Sequence, residues 1–200
     1  MNIIMIKWKR FFRRGLGETN KDKLKLTSQQ IGGIFLEMLK SEVKRNLNTT
    51  VKDLTGKIDI PSQVDLKHIK DELVYLNIYI IYQALFNRFK SHFDEIEECF
   101  KKELKQFLEE QASGEFALIS MVNVNNAIID YMKQYNNTIA KEKDRSSGLR
   151  QFTGYITRRV LGRASDLSLS RSMYMMNYYG SRLLGLTKLI DDTIELNSEE

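Results

Sequence analysis

The side chains best placed for metal chemistry are two carboxylate–histidine pairs. Asp65 and His68 stand three residues apart, and His92 and Glu95 repeat the spacing in reverse order. Residues three apart share a helix face, so each pair offers an oxygen and an imidazole to one ion, as in a di-iron bundle. Such a bundle needs two such pairs facing each other and two more inward glutamates. Here the acids around His92 read as a solvated face. One straight helix joining the two histidines would hold them about 36 Å apart at 1.5 Å per residue. No metal and no cofactor is expected.

Other motifs are incomplete. Gly180, Gly185 and Thr187 have the spacing of a phosphate loop, but Leu186 stands where the lysine belongs and no strand precedes it. The two glycines are expected at a helix crossing instead. Cys99 is the only cysteine, and Glu97 and Glu98 beside it oppose a reactive thiolate. A lone cysteine forms no intrachain disulfide, which favours a reducing, cytoplasmic compartment. Asn48 and Asn136 open Asn-x-Thr triplets, which without a secretory signal are chance matches. Met173, Met175 and Met176 beside tyrosines can line an adaptable pocket, although helical spacing makes them core.

Two basic regions offer surface chemistry. Residues 1–26 carry eight Lys and Arg against Glu18 and Asp22. On a helical wheel Met1, Ile4, Met5, Trp8, Phe11 and Phe12 share one arc, and Lys7, Lys9, Arg10, Arg13 and Arg14 share the opposite one. Ile3 and Ile6 blur that division. Cations opposite large apolar rings are the design of an interfacial helix, and each cation near anionic lipid is worth about 1 kcal/mol before screening. The same apolar arc can dock into a groove on a partner or on its own bundle. The apolar run before Lys7 is too short for a signal peptide, and Asn2 in place of glycine excludes myristoylation. The second region holds arginines 145, 150, 158, 159, 163, 171 and 182. Interleaved Phe152, Tyr155, Tyr174, Tyr178 and Tyr179 make nucleic acid a candidate partner for Arg150, Arg158, Arg159, Arg163 and Arg171. Acids at 94–110 and at the tip are the expected internal partners should these arginines pair within the chain.

The elements that position these groups are helical. Residues 73–89 hold thirteen apolar or aromatic side chains among seventeen, on every side of a helix. A helix apolar all round must be enclosed. Asn77, Gln83, Asn87 and three mid-segment tyrosines fit enclosure by protein better than by lipid. Pro61 is the only proline, and the composition favours long helices. Thr27 and Gln30 have capping-box spacing ahead of an apolar stripe from Ile31 to Val43, predicting a helix over about 28–46. The Gly32–Gly33 pair inside it predicts a close helix crossing. Residues 47–64 lack periodicity and are expected to form a loop.

Ser62 or Asp65 can cap the helix over 66–90. A change of apolar stripe predicts that it ends near 89–92 and that another starts near Asp94. Further helices are expected up to about Ala140, over 149–160 and from about 168 to 192. Turns are expected at 113–114 and 146–148, a stop at Gly162, and a cap at Asp166 or Ser168. The expected fold is all-α: a single bundle of six or seven helices around a buried central helix at about 66–90. Residues 1–26 are an amphipathic segment and flexible connector, 27–192 the bundle, and 193–200 a frayed acidic tail.

This pattern leads to a non-catalytic intracellular interaction protein, held to a membrane surface or protein partner through residues 1–14. Nucleic-acid association through 145–182 is one alternative. The other is a small-ligand or enzymatic bundle with a pocket near Tyr75, Tyr79 and Tyr82.

Overall fold

The computed structural model describes residues 23–57, 65–110, 119–140, 145–162 and 169–197. They form six α-helices and two three-residue strands: β1 (Leu24–Leu26), α1 (Ser28–Lys57), α2 (Leu66–Arg88), α3 (Phe93–Glu110), α4 (Met121–Tyr135), α5 (Arg145–Leu161), α6 (Leu169–Thr193) and β2 (Ile194–Leu196). A 3₁₀ turn at Lys90–His92 precedes α3, and a π turn at Asn136–Ala140 extends α4.

α2 is the axis. Ile69, and every residue from Glu72 to Leu85, is buried. It touches all five other α-helices, which removes the apolar surface between Glu72 and Leu85 from water in every direction, leaving only the apolar Leu66 and Phe86 exposed at its ends. Asp65 starts it by accepting the Lys67 amide at 2.9 Å. Phe89 leaves the helical conformation, and its amide bonds back to the Leu85 carbonyl at 2.8 Å. The chain turns there and Phe93 opens α3, so the change of stripe marks a real boundary. No described helix is long and apolar enough to cross a membrane.

α1 lies along α3. Its start is the reciprocal capping box: the Thr27 amide donates to Gln30 Oε1 at 3.1 Å, and the Gln30 amide donates to Thr27 Oγ1 at 3.3 Å. Gly32 sits at the crossing. A Cβ built there would lie 2.9 Å from the Phe100 amide nitrogen, so only glycine admits the α3 backbone this closely. Gly33 faces open space.

Four local expectations are corrected. α1 does not stop near 46, because Leu47, Val51 and Leu54 continue the buried stripe of Val43 to its end at Lys57. Asn46, Asn48, Thr49 and Thr50 are weak helix formers and hide that stripe in the sequence. The 146–148 stretch is helical, and a Cβ on Gly148 would meet the Thr138 carbonyl oxygen at 2.7 Å, so this glycine permits a contact rather than a turn.

The end of the expected connector and the start of the expected tail pair with each other, in place of a flexible link and a frayed end. Leu24–Leu26 pairs in parallel with Ile194–Leu196, with Leu24 opposite Ile194. The Asn197 amide continues the ladder to the Leu26 carbonyl at 2.9 Å. Leu26 and Ile194 are buried. Lastly, among the described residues no helix crosses α6 at Gly180 or Gly185. A Cβ at either meets nothing within 4 Å, although an exposed helical glycine costs about 1 kcal/mol relative to alanine. Gly162, with φ 84°, closes α5 as expected. The stops at 113–114, the cap at Asp166 or Ser168, and Ser62 lie outside the described residues.

Candidate functional site

The richest concentration of polar chemistry in the described body surrounds Arg159, in the last turn of α5. Its Nε donates to Glu72 Oε2 on α2 at 2.6 Å. Its Nη1 donates to Asp130 Oδ2 on α4 at 3.0 Å and to the Tyr155 hydroxyl, one turn back on α5, at 3.1 Å. The guanidinium also lies over the Tyr131 ring, 5.0 Å from its centroid. One side chain therefore ties α2, α4 and α5 together. His68, one turn before Glu72, brings its Nε2 within 2.9 Å of the Arg159 carbonyl oxygen, closing the group from the other side.

Burial sets the electrostatics. Glu72 retains only 8% of its surface. Burial pushes its carboxyl above the usual range, against the opposing pull of Arg159. The guanidinium is shared with Asp130, so it does not fully offset the lost hydration. Burial also drives the Tyr131 hydroxyl well up, with the Glu72 carboxylate adding to the effect. Both tyrosine and arginine therefore keep their protons, and Glu72 holds a proton more tightly than a solvated carboxyl does. The Nε and Nη1 donors of Arg159 are committed to the protein itself. Chemically this is a clamp.

A second polar group stands between α1, α2 and α6. Arg182 pairs with Glu42 and covers the Tyr178 ring, 4.7 Å from its centroid. Asn77 donates from Nδ2 to the Leu73 carbonyl at 2.8 Å and to the Tyr178 hydroxyl at 3.1 Å. Two arginines of the 145–182 set are thus internal ties. Their partners are Glu42, Glu72 and Asp130, not the 94–110 block or the acidic tip. Arg150 and Arg158 are exposed on α5. Arg163 lies outside the described residues, as do the side chains of Arg145 and Arg171. The nucleic-acid candidates are therefore not one solvent-facing array.

The three tyrosines Tyr75, Tyr79 and Tyr82 share a helix face but meet different partners. Tyr79 stacks on Tyr131 with centroids 5.0 Å apart, lies against Phe152 and Tyr179, and donates its hydroxyl to Gln83 Oε1 at 2.6 Å. Tyr82 packs edge-on to Phe93 at 4.9 Å, with the Lys101 ammonium 5.7 Å from its ring. The Tyr75 hydroxyl faces the Asn123 side chain beside Asp71 and Glu72, and burial raises its pKa. The rings fill distinct parts of the core between helices.

His92 contacts Ser91 Oγ at 2.9 Å through Nδ1, away from His68. Among the described residues no three His, Cys, Asp or Glu side chains are grouped to hold a metal ion. Cys99 is half-buried in α3, and burial together with Glu95 and Glu98 raises its thiol pKa. Lys7, Trp8, Lys9, Arg10, Phe11, Phe12, Arg13 and Arg14 lie outside the described residues.

Sequence reasoning missed Glu72, Asp130 and Glu42. One signal was available: Glu72 directly precedes the stretch that must be enclosed, and an enclosed acid needs a cation. Periodicity does not say which cation. Compared with family models, curated proteins and solved structures, the chain matches none.

Proposed function

We propose that this chain is a non-catalytic, intracellular helical interaction protein that works through its outer surface and contacts an anionic membrane surface through residues 1–14. One observation carries the reading. The polar groups gathered inside the bundle hold helices together, whereas large apolar side chains remain on outer helix faces. On α4, Val122 and Ile129 are 67% and 62% exposed and, with Met132, form one stripe at helical spacing. A single exposed leucine is ordinary, but an aligned stripe marks a contact surface. The basic, aromatic segment at residues 1–14 supplies the complementary chemistry for an anionic interface.

Flotation with vesicles tests this on the full chain. Phosphatidylserine-containing vesicles at low salt are expected to carry the protein upward, and neutral vesicles are not. Replacing Trp8, Phe11 and Phe12 together by serine is expected to abolish flotation, and added salt to weaken it. Should the unaltered chain stay at the bottom with anionic vesicles at low salt, the membrane contact is wrong.

A further inference from the structure

α4 carries apolar side chains on two opposite faces. Val124, Ala127, Ile128 and Tyr131 are buried against the bundle. On the other side Val122, Asn126, Ile129, Lys133 and Asn136 follow one another at steps of four and three, within an arc of about 80°. All five are exposed, and among the described residues nothing covers them.

The charges around this face have one sign toward water. Asp130 is the only acid on α4 and stands on the flank toward α5, where Arg159 Nη1 donates to its Oδ2 at 3.0 Å. That guanidinium offsets its charge. The cations facing water are Lys133, on the stripe itself, and Arg158, beside Arg159.

This mixture selects the occupant. A dry protein contact would take water from Asn126, Asn136 and the Lys133 ammonium, and each would then need its own partner. A second copy of the same face brings another Lys133 and an Asp130 already held by Arg159. The stripe also lacks the tryptophan, tyrosine or arginine that anchors most protein interfaces. A bilayer surface demands less. Branched apolar side chains enter below the headgroups, and amides stay at the hydrated level. Lysine lays its stem along the apolar surface while its ammonium rises to the phosphates. Anionic lipid attracts Lys133 and Arg158 in addition. α4 spans 15 residues, which at about 22 Å is too short to cross a bilayer but long enough to lie in its plane.

We propose that α4 is a lipid-contacting helix of the folded body: its outer face lies in the plane of an anionic bilayer, with Val122 and Ile129 below the headgroups and Lys133 and Arg158 at the lipid phosphates. The inference rests on the reading that the chain meets an anionic membrane, and adds which helix faces it. The Arg159–Asp130 pair then has a second consequence, since it keeps an unpaired carboxylate away from the phosphates.

A probe on α4 tests this in the full chain. Cys99 is the only cysteine, so Cys99→Ser with Ile129→Cys leaves one thiol for a nitrobenzoxadiazole label. Phosphatidylserine-containing vesicles at low salt should shift its emission to the blue and raise it at least about twofold, as for a probe entering the acyl boundary. The same label on Ser41→Cys, exposed on α1, should not respond. Val122→Ser with Ile129→Ser should lower the floated fraction of the otherwise unaltered chain at least about threefold. Both positions are exposed, so circular dichroism should show the helices intact.

A chain that floats while the probe at 129 stays silent overturns this inference and leaves the membrane reading standing. A chain that does not float removes the membrane reading, and this inference with it. Equal responses at 41 and 129 overturn the inference, because no particular helix then faces the lipid. So does unchanged flotation of the double serine variant. Emission at 129 that shifts with protein concentration in the absence of vesicles also overturns it, since the occupant is then a second copy.

Discussion

The two sides of α2 are held by opposite means. Toward α4 and α5, contact is made by side chains that reach: Arg159 spans to Glu72 and Asp130, and Tyr79 stacks on Tyr131. Toward α1 and α3, the close contact is made by a side chain that is missing. Gly32 lets α1 approach the backbone of Cys99 and Phe100, while Phe35, Leu39, Phe100 and Leu104 supply buried apolar surface around it. Between α1 and α3 the ion pairs are local and partly exposed, Lys101 with Glu97 and Lys40 with Glu37, while the longer tie from α1 runs from Glu42 to Arg182 on α6. Exposed local pairs contribute little. The first side therefore depends on satisfying charge, and the second on excluding volume. A charge removed should matter on one side, and an added methyl on the other.

The largest effect is expected at Arg159. Arg159→Ala leaves Glu72 enclosed without its cation and Tyr131 without its cover. Removing one partner of a buried pair costs about 3–5 kcal/mol, and the lower end applies here because Glu72 can neutralise by taking a proton. Urea unfolding followed by circular dichroism measures the loss. A loss under about 1 kcal/mol, the size typical of a solvated surface pair, would dissolve the contrast between the two sides. The adjacent glycines give the next largest test. Gly32→Ala drives a methyl against the α3 backbone and is expected to cost about 2 kcal/mol, as overpacking does. Gly33→Ala meets nothing and should stabilise by up to about 1 kcal/mol through helix propensity. Equal effects at the two positions would mean that α1 and α3 are not closely apposed.

Much of the architecture is legible in the sequence because burial leaves a periodic trace. The all-round apolar surface of 73–89 requires enclosure and receives it as far as Leu85, beyond which Phe86 is 42% exposed. The capping box at Thr27 and Gln30, the break at Phe89 and the stop at Gly162 are local signals read within a few residues. Features fixed by distant partners are not legible. Strands of three residues are too short for alternation to register, so Leu24–Leu26 and Ile194–Leu196 resemble a connector and a tail. Arg159 and Glu72 are separated by 87 residues, and Arg182 and Glu42 by 140. Local patterning carries no record of such pairings. The arginine set therefore reads as one basic surface in the sequence, whereas the fold turns Arg159 and Arg182 inward. Glycine is ambiguous for a related reason. At 32 and 180 the residue is the same, and only the neighbouring element distinguishes a crossing from an open face.

The smallest expected effect tests whether charge satisfaction on the α4–α5 side is complete. The Glu72 carboxyl is raised in the folded protein from an unfolded value near 4.5. Between those two values the folded chain binds the proton more tightly than the unfolded chain does. Stability contributed by this group is thus fully present below about pH 4.5 and is lost as pH rises through the folded value. Glu72→Gln cannot titrate. The unfolding free energy of the unaltered chain relative to this variant should therefore fall as pH rises through that window, then level off. A difference that grows with pH would mean that Arg159 outweighs burial and that the clamp favours the carboxylate. The α4–α5 side would then be held by net attraction, not by a guanidinium that only partly offsets the cost of enclosing an acid.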